Sequence, residues 1–406
     1  MRTVTQLALA GLLCLLPSLA RAELGVSAEL DPDRVEVALL PGVTVSTETG
    51  FGFGVLGAVA GFEPGYTPYR WRLQASVQLS VREGPDGDVE WPVQSYWLLF
   101  DLPELGARWL RLSGKVGYRQ HAALGWYGIG NGSSDSPPAH ADGGRWFRYE
   151  RLFPEATVML RARLGGELSV FGGATFSYSQ VTVGEGRLAM DLDDDPRSLL
   201  VGARPHGDAC LRVGLIYDSR DHETSPTRGM LHEVALEAGA GLGESFAYGR
   251  LHAQARFFVP IAGRRLVVAA RLLADVMVGE PPFYELSRMG GSNPVDGPAG
   301  AHGIRGVPAQ RYAGEVKLVG NVELRSHIVG FEVGEQRFTV GVAAFADAGR
   351  VFAELTEAHP GLDGGDLKLG LGGGLRLGWG ETFVGRIDAA WSPDGVGFYA
   401  LAGHPF

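Results

Sequence analysis

From Tyr69 to Arg82 fourteen consecutive positions alternate, with Arg70, Arg72, Gln74, Ser76, Gln78, Ser80 and Arg82 on one face and Tyr69, Trp71, Leu73, Ala75, Val77, Leu79 and Val81 on the other. Strand side chains alternate sides with period two, so the stretch predicts a strand with one polar and one apolar face. Its length exceeds the ~5–6 residues of a typical globular strand and suits a tilted membrane-crossing strand of about 9–11 residues plus its ends. Tyr69 and Trp71 at one end suit an interfacial aromatic girdle. The same alternation returns at Glu315–Arg325, where Glu315, Lys317, Val319, Asn321, Glu323 and Arg325 face away from Val316, Leu318, Gly320, Val322 and Leu324.

Further strands are predicted at Phe51–Phe62, Glu90–Asp101, Arg108–His121, Trp146–Arg163, Glu167–Val183, Cys210–Asp218, Leu231–Gly239, Gly249–Val259 and Arg265–Val278. After a long loop come Tyr312–Arg325, Arg337–Asp347, Leu367–Gly378, Phe383–Trp391 and Gly397–Phe406. No segment carries a helical period. A soluble sandwich would bury the apolar faces, whereas an outer-membrane barrel turns them to lipid and lines its lumen with the polar ones. An antiparallel domain this large must close on itself or leave long bare edges. The expected fold is therefore all-β: a single transmembrane antiparallel β-barrel with an even number of strands, sixteen, over residues 49–406. Residues 23–48 carry Pro32 and Pro41 and form a short periplasmic lead segment, as a plug, a short first strand or a disordered leader.

The loops are read from their breakers. Arg288–Gly303 is rich in glycine and proline, and Ile304-Arg305-Gly306-Val307 interrupts this polar run. Gly52, Gly54 and Gly57 spell GxGxxG, but no preceding strand, following helix or acidic ribose partner supports a nucleotide site. Asp191-Leu-Asp-Asp-Asp-Pro196 could attract calcium; it lacks the glycine and distal glutamate of an EF-hand and reads as a solvated loop.

Composition narrows the address. Residues 1–22 resemble a cleaved export signal, with Arg2, a mostly apolar Leu7–Leu19 run and Ala20-Arg21-Ala22 as the cleavage site. Leu12 and Leu13 before Cys14 fit a lipoprotein site badly. Cys210 is then the single cysteine after the signal, so no internal disulfide is available. No stretch reaches the ~18 apolar residues of a membrane helix, yet mean hydropathy is slightly positive. A barrel reconciles the two. Formal charge is −10, and the chain after residue 22 has 34 bases against 46 acids, which argues against a nucleic-acid partner.

Four short pieces resemble the BamA/TamA-type barrels, or bacterial surface antigens, of the Omp-eighty-five superfamily: Tyr127-Gly-Ile-Gly-Asn131; Tyr217-Asp-Ser-Arg-Asp221 with Pro226-Thr-Arg-Gly229; Ile304-Arg-Gly306 followed by Asn321-Val-Glu-Leu-Arg325; and Phe345-Ala-Asp-Ala-Gly349. The resemblance implies that Arg305 and Gly306 tip an extracellular loop folded into the lumen, where Arg305 pairs with Glu323 and Asp347. Taken without it, Arg305 could equally be a solvated loop residue. Asp218, Arg220 and Asp221 form a rim network or merely a polar turn. Two departures stand out: Val307 occupies a position where an aromatic is usual, and residues 23–48 are too short to hold a periplasmic POTRA repeat. A terminal aromatic, Phe406, with Phe398 on the same face, is similar to the assembly signal of outer-membrane barrels.

The expected function is assistance in inserting or translocating protein, or lipid, at the outer membrane. Its mechanism would be a weak seam where Gly-rich Phe51–Gly61, with Gly52 and Gly54, faces Gly397–Phe406. The alternative is a passive channel or structural surface protein without insertase activity. Partners are outer-membrane lipid and client polypeptides, with the barrel a monomer. No cofactor is expected, and no enzyme: Gly290-Gly-Ser-Asn-Pro294 does not fit GxSxG, no serine is arranged with His and Asp, and the ten histidines lack metal spacing.

Overall fold

The computed structural model describes residues 33–46, 50–83, 88–133, 136–139, 145–193, 200–261, 265–334, 336–358 and 367–406. The expected export signal, residues 1–22, and Asp194–Pro196 of the acidic loop lie outside them. Seventeen strand segments form one antiparallel sheet: β1 Val35–Ser46, β2 Gly50–Gly61, β3 Trp71–Glu83, β4 Val89–Leu102, β5 Leu110–Gly125, β6 Arg148–Leu152, β7 Glu155–Gly165, β8 Leu168–Thr182, β9 His206–Asp218, β10 Gly229–Leu242, β11 Ala247–Pro260, β12 Leu266–Gly279, β13 Val316–Val333, β14 Gln336–Phe352, β15 Lys368–Trp379, β16 Phe383–Ser392 and β17 Gly395–Ala402. Each pairs with its neighbour in sequence, except that β6 and β7 both lie between β5 and β8. The expected Trp146–Arg163 strand is thus broken at Phe153-Pro154, where proline removes a ladder donor. The seventeen segments therefore occupy sixteen positions around the sheet.

The lead segment contains a first strand, one of the three readings given for it, and the barrel's boundary is corrected. Val35–Ser46 pairs residue for residue with β2 as a strand in its own right, so the sheet begins at Val35 and not at residue 49. One short helix, α1 (Arg187–Asp193), appears where no helical period is legible; seven residues are too few to show one. Tyr69 is also corrected: it is buried ahead of β3 and donates to Asp101, so it is no girdle residue.

Burial along the strands is inverted relative to a soluble protein. Leu211, Leu236 and Leu272 are 66%, 58% and 64% exposed, while their in-line neighbours Arg212, Glu237 and Arg271 are buried. Exposed leucine beside buried charge satisfies the physics only if lipid lies outside and a polar lumen inside. The connections are asymmetric: those at 126–147, 183–205, 280–315 and 353–367 are long and share one end, whereas turns such as 166–167 and 334–335 are short. Barrels of this class turn the long loops outward and the short ones to the periplasm.

Leu272→Arg, midway along β12, is expected to lower stability in vesicles by about 2–4 kcal/mol, the range for arginine at the bilayer midplane. Denaturant titration of folded barrel measures it; an unchanged midpoint would mean that this face does not meet lipid.

Candidate functional site

The 280–315 connection folds into the lumen, and its route is set by acids on the wall. Backbone amides of Gly290, Gly291 and Ser292 donate to Asp275 (2.8 Å), Glu237 (2.7 Å) and Glu233 (2.5 Å) on β12 and β10. The backbone favours glycine at Gly291, and Gly290 is closely crowded by side chains. A Cβ on Gly290 would sit 2.6 Å from Glu237 Oε1, and Gly291 has φ +98°. Further on, Ile304 and Val307 enter an apolar cluster with Leu273, Met289, Ala299, Tyr312, Val319 and Val351. Val307, the departure from the aromatic, is fully buried there.

These anchors deliver Arg305, which has no exposed surface. Its Nε and Nη2 grip Asp347 at 2.8 and 2.9 Å, and its Nη1 donates to Glu323 and, at 3.3 Å, to Asp388. The guanidinium plane lies 3.4 Å over the Phe345 ring. A planar fork suits this paired, stacked geometry in a way a lysine cannot. Burial alone would lower the pKa of Arg305, but Asp347 and Glu323 raise it above the ordinary arginine range. Gly306 has φ +93°; its N–H donates to Tyr399 of β17 at 3.0 Å, and a Cβ would meet the Trp391 and Ser392 backbone at 2.8–2.9 Å.

The structure brings Arg305, Gly306, Glu323 and Asp347 together and adds members that the sequence reading missed. Asp388 on β16 is fully buried and bridges Arg305, Arg376 and Arg386. Arg325 holds the second oxygen of Glu323 at 2.8 Å. Asn321 donates to Asp347 and to the Gly303 carbonyl, at 2.8 and 2.9 Å. Their signal was available: Arg386, Asp388, Ala390 and Ser392 share the inward face of β16.

Three of the four motif pieces converge here. In Tyr127–Asn131, Gly128 and Gly130 have φ of +93° and +94°. Gly130 N–H donates to the Ala313 carbonyl, tying this loop to the inward one, and Asn131 accepts from Val351 N–H, tying it to β14. In Phe345–Gly349, Gly349 leaves room for Ile304, whose Cδ1 a Cβ would meet at 2.8 Å. The remaining piece lies at the opposite mouth. There Arg220 forks onto Asp218 at 2.9 and 2.8 Å, and Asp221 accepts from the Thr227 and Arg228 amides and so closes the turn. Asp191 of the acidic loop accepts from Trp126 and Arg187, and the described residues contain no group of metal-binding side chains.

Two expectations about the edges are corrected. Gly52 and Gly54 are interior: β2 pairs with β1 on one side (Thr44, Gly42) and with β3 on the other (Ser80, Gln78). Phe398 and Phe406 do not share a face. Phe398 is 79% exposed on β17, whereas the chain leaves the sheet at Gly403, φ +79°, and buries Phe406 in the lumen against Phe258, Val267 and Ala269. Arg271 and Arg325 each lie 5.1 Å over the Phe406 ring.

Arg305→Ala is expected to leave export intact and to lower stability by about 3–5 kcal/mol, because it strands Asp347 without a cation in a site that admits no solvent. The folded band on an unheated gel should melt at lower temperature, with Arg305→Lys intermediate. An unshifted melting temperature would show that the pairing carries no stability.

Comparison with known proteins gives the family and the fold. The Omp85 superfamily domain matches residues 73–396. Among solved structures, CdiB from Escherichia coli is similar in fold, with a TM-score of 0.51 at 11% identity over 93% of this chain and 64% of that one. BamA from Haemophilus ducreyi lacking POTRA domains 1–3 gives 0.49 at 14% identity over 91% and 70%, and CdiB from Acinetobacter baumannii 0.46 at 12% over 91% and 58%. The chain thus spans less than two thirds of both CdiB chains. No curated protein matches. With the domain match running from β3 to the start of β17 and including Arg305, Glu323, Asp347 and Asp388, the chain belongs to the Omp85 superfamily of outer-membrane β-barrels.

Proposed function

We propose that this barrel assists insertion or translocation of polypeptide, or lipid, at the outer membrane by opening sideways between β1 and β17. The observation that carries the reading is a missing ladder. β1 pairs with β2 and β17 with β16, and no pairing joins β1 to β17 among the described residues. Contact across this seam is by side chains near the periplasmic end. Glu36 of β1 accepts from Glu381 N–H at 3.0 Å and from the Thr382 hydroxyl at 3.4 Å. Ala38, Ala58 and Phe383 form a small cluster with Leu40 and Ala402 at its margin.

A continuous antiparallel ladder would have to break many backbone hydrogen bonds in hydrocarbon, where each unsatisfied group costs several kcal/mol. A seam closed by side-chain packing avoids most of that cost. Its unpaired edges offer an extended client a strand to add to. The passive-channel alternative lacks any use for such an edge.

The test uses cysteines at Leu40 and Ala402, in a Cys210→Ser background. Oxidation is expected to join them, and the locked barrel should fail to restore the outer-membrane protein and lipid inventory of depleted cells, while the reduced form restores it. Full restoration by the locked form would exclude the sideways mechanism.

A further inference from the structure

The backbone leaves the β1–β17 seam with little to close it. The Arg34 carbonyl accepts from Phe62 N–H at 2.8 Å, and the β1–β2 register continues without a shift from Val35 to Ser46. Even-numbered residues of β1 therefore turn their N–H and C=O toward β2, and odd-numbered ones turn theirs to the seam. Pro41 is among the latter and has no N–H to offer. Across the seam, Gly403 N–H donates to the Val384 carbonyl at 2.7 Å, so odd-numbered residues of β17 face β16, and Val396, Phe398, Ala400 and Ala402 turn their backbone groups to the seam. A ladder between these edges would draw on four residues of β17 and would lack a donor midway along β1.

Side chains take over where β17 ends. The chain turns inward at Gly403, so the periplasmic half of β1 lies against β16 and the turn before it: a Cβ on Gly385 would be 3.6 Å from Leu40 Cδ2. Glu36, the one charged residue of β1, is buried there. Its Oε1 takes Arg34 Nε and Nη2 at 3.1 and 2.9 Å, while its Oε2 takes the Glu381 N–H at 3.0 Å. Arg34 is itself braced, 3.9 Å over the Phe62 ring and 3.5 Å from the Glu381 carboxylate. One carboxylate thus bridges the two sides of the seam. Gly380, φ +62°, admits it, because a Cβ there would overlap Oε2. Among the described residues the outer half has nothing comparable: nothing lies within 4 Å of a Cβ on Gly42, and Val43, Val396 and Phe398 are exposed.

We propose that Glu36 is the clasp of the seam: it holds the periplasmic end shut, and the strands part from the outer end down to it. The inference rests on the sideways reading and adds its regulation. An extended client passing the full height of the seam has to take Glu36 from the turn. Its backbone N–H groups are donors of the kind that Glu381 supplies, so the exchange leaves the buried carboxylate satisfied. Hydrocarbon offers no such donor, so the clasp stays shut against lipid chains.

The experiment follows the oxidation rate of cysteine pairs in purified, folded barrels with the Cys210→Ser background. The seam pair is Leu40→Cys/Ala402→Cys; the control pair, Ile387→Cys/Ala400→Cys, joins β16 to β17 at registered neighbours. Glu36→Ala should slow the seam pair about tenfold, the order of one lost hydrogen bond to a charged group, and leave the control pair unchanged. Glu36→Gln keeps an acceptor for Glu381 N–H but gives up the charge that holds Arg34, and should fall between. Gly380→Ala, which pushes the turn off the carboxylate from the opposite side, should slow the seam pair as Glu36→Ala does. A heat-modifiable gel band confirms that each variant is folded. A seam-pair rate that no folded Glu36 variant moves, or a slowing shared by the control pair, would overturn the clasp. Full restoration of depleted cells by the locked barrel would count against the sideways reading instead, which oxidation rates do not probe.

Discussion

A guanidinium cut off from water persists only where carboxylates meet it with good geometry. Arg305 is met by three, from β13, β14 and β16, and each of those acids is shared with a further cation or amide. The loop is thereby fixed to three staves of the wall at once. Positions that read as unrelated motifs then acquire one cause. Phe345 supplies the surface on which the guanidinium stacks, Gly349 the clearance for Ile304, Asn321 the bridge to the Gly303 carbonyl, and Gly130 the hydrogen bond that ties a second loop to the first.

The interior is accordingly organised by charge and backbone amides more than by oil. Glu233, Glu237 and Asp275 each receive a loop N–H, so the inward connection needs no strand partner to satisfy its backbone. Apolar clusters exist, around Val307 and around Phe283, but they sit within the loops and against the wall. They set how the loop packs, while the acids set where it goes.

Alternation of polar and apolar residues made the strands legible because a barrel wall separates lipid from lumen at every second side chain. The pattern failed where that separation fails. Val35–Ser46 was obscured by Pro41 and by a partner strand too glycine-rich to show a contrast, and Tyr69 looks interfacial until Asp101 is seen beneath it. Arg305, Glu323 and Asp347 were reachable through the resemblance; for Asp388 and Arg386 alternation marks only the inward face of β16, and their meeting with Arg305 and Arg376 depends on sheet curvature that no linear spacing encodes. The inward turn at Gly403 is invisible for the same reason: Phe406 continues the strand's periodicity in sequence while leaving it in space.

Pro41 in β1 contributes no N–H, and β17 has only eight residues before the chain departs from the sheet. Bare strand borders invite another copy to zip alongside, and proteins commonly blunt them with proline or brevity. In a crowded bilayer, two sister molecules meeting border to border would find the ladder interrupted at Pro41 and limited to the eight residues of β17. The geometry that leaves this sheet unzipped also discourages it from fusing with its own kind.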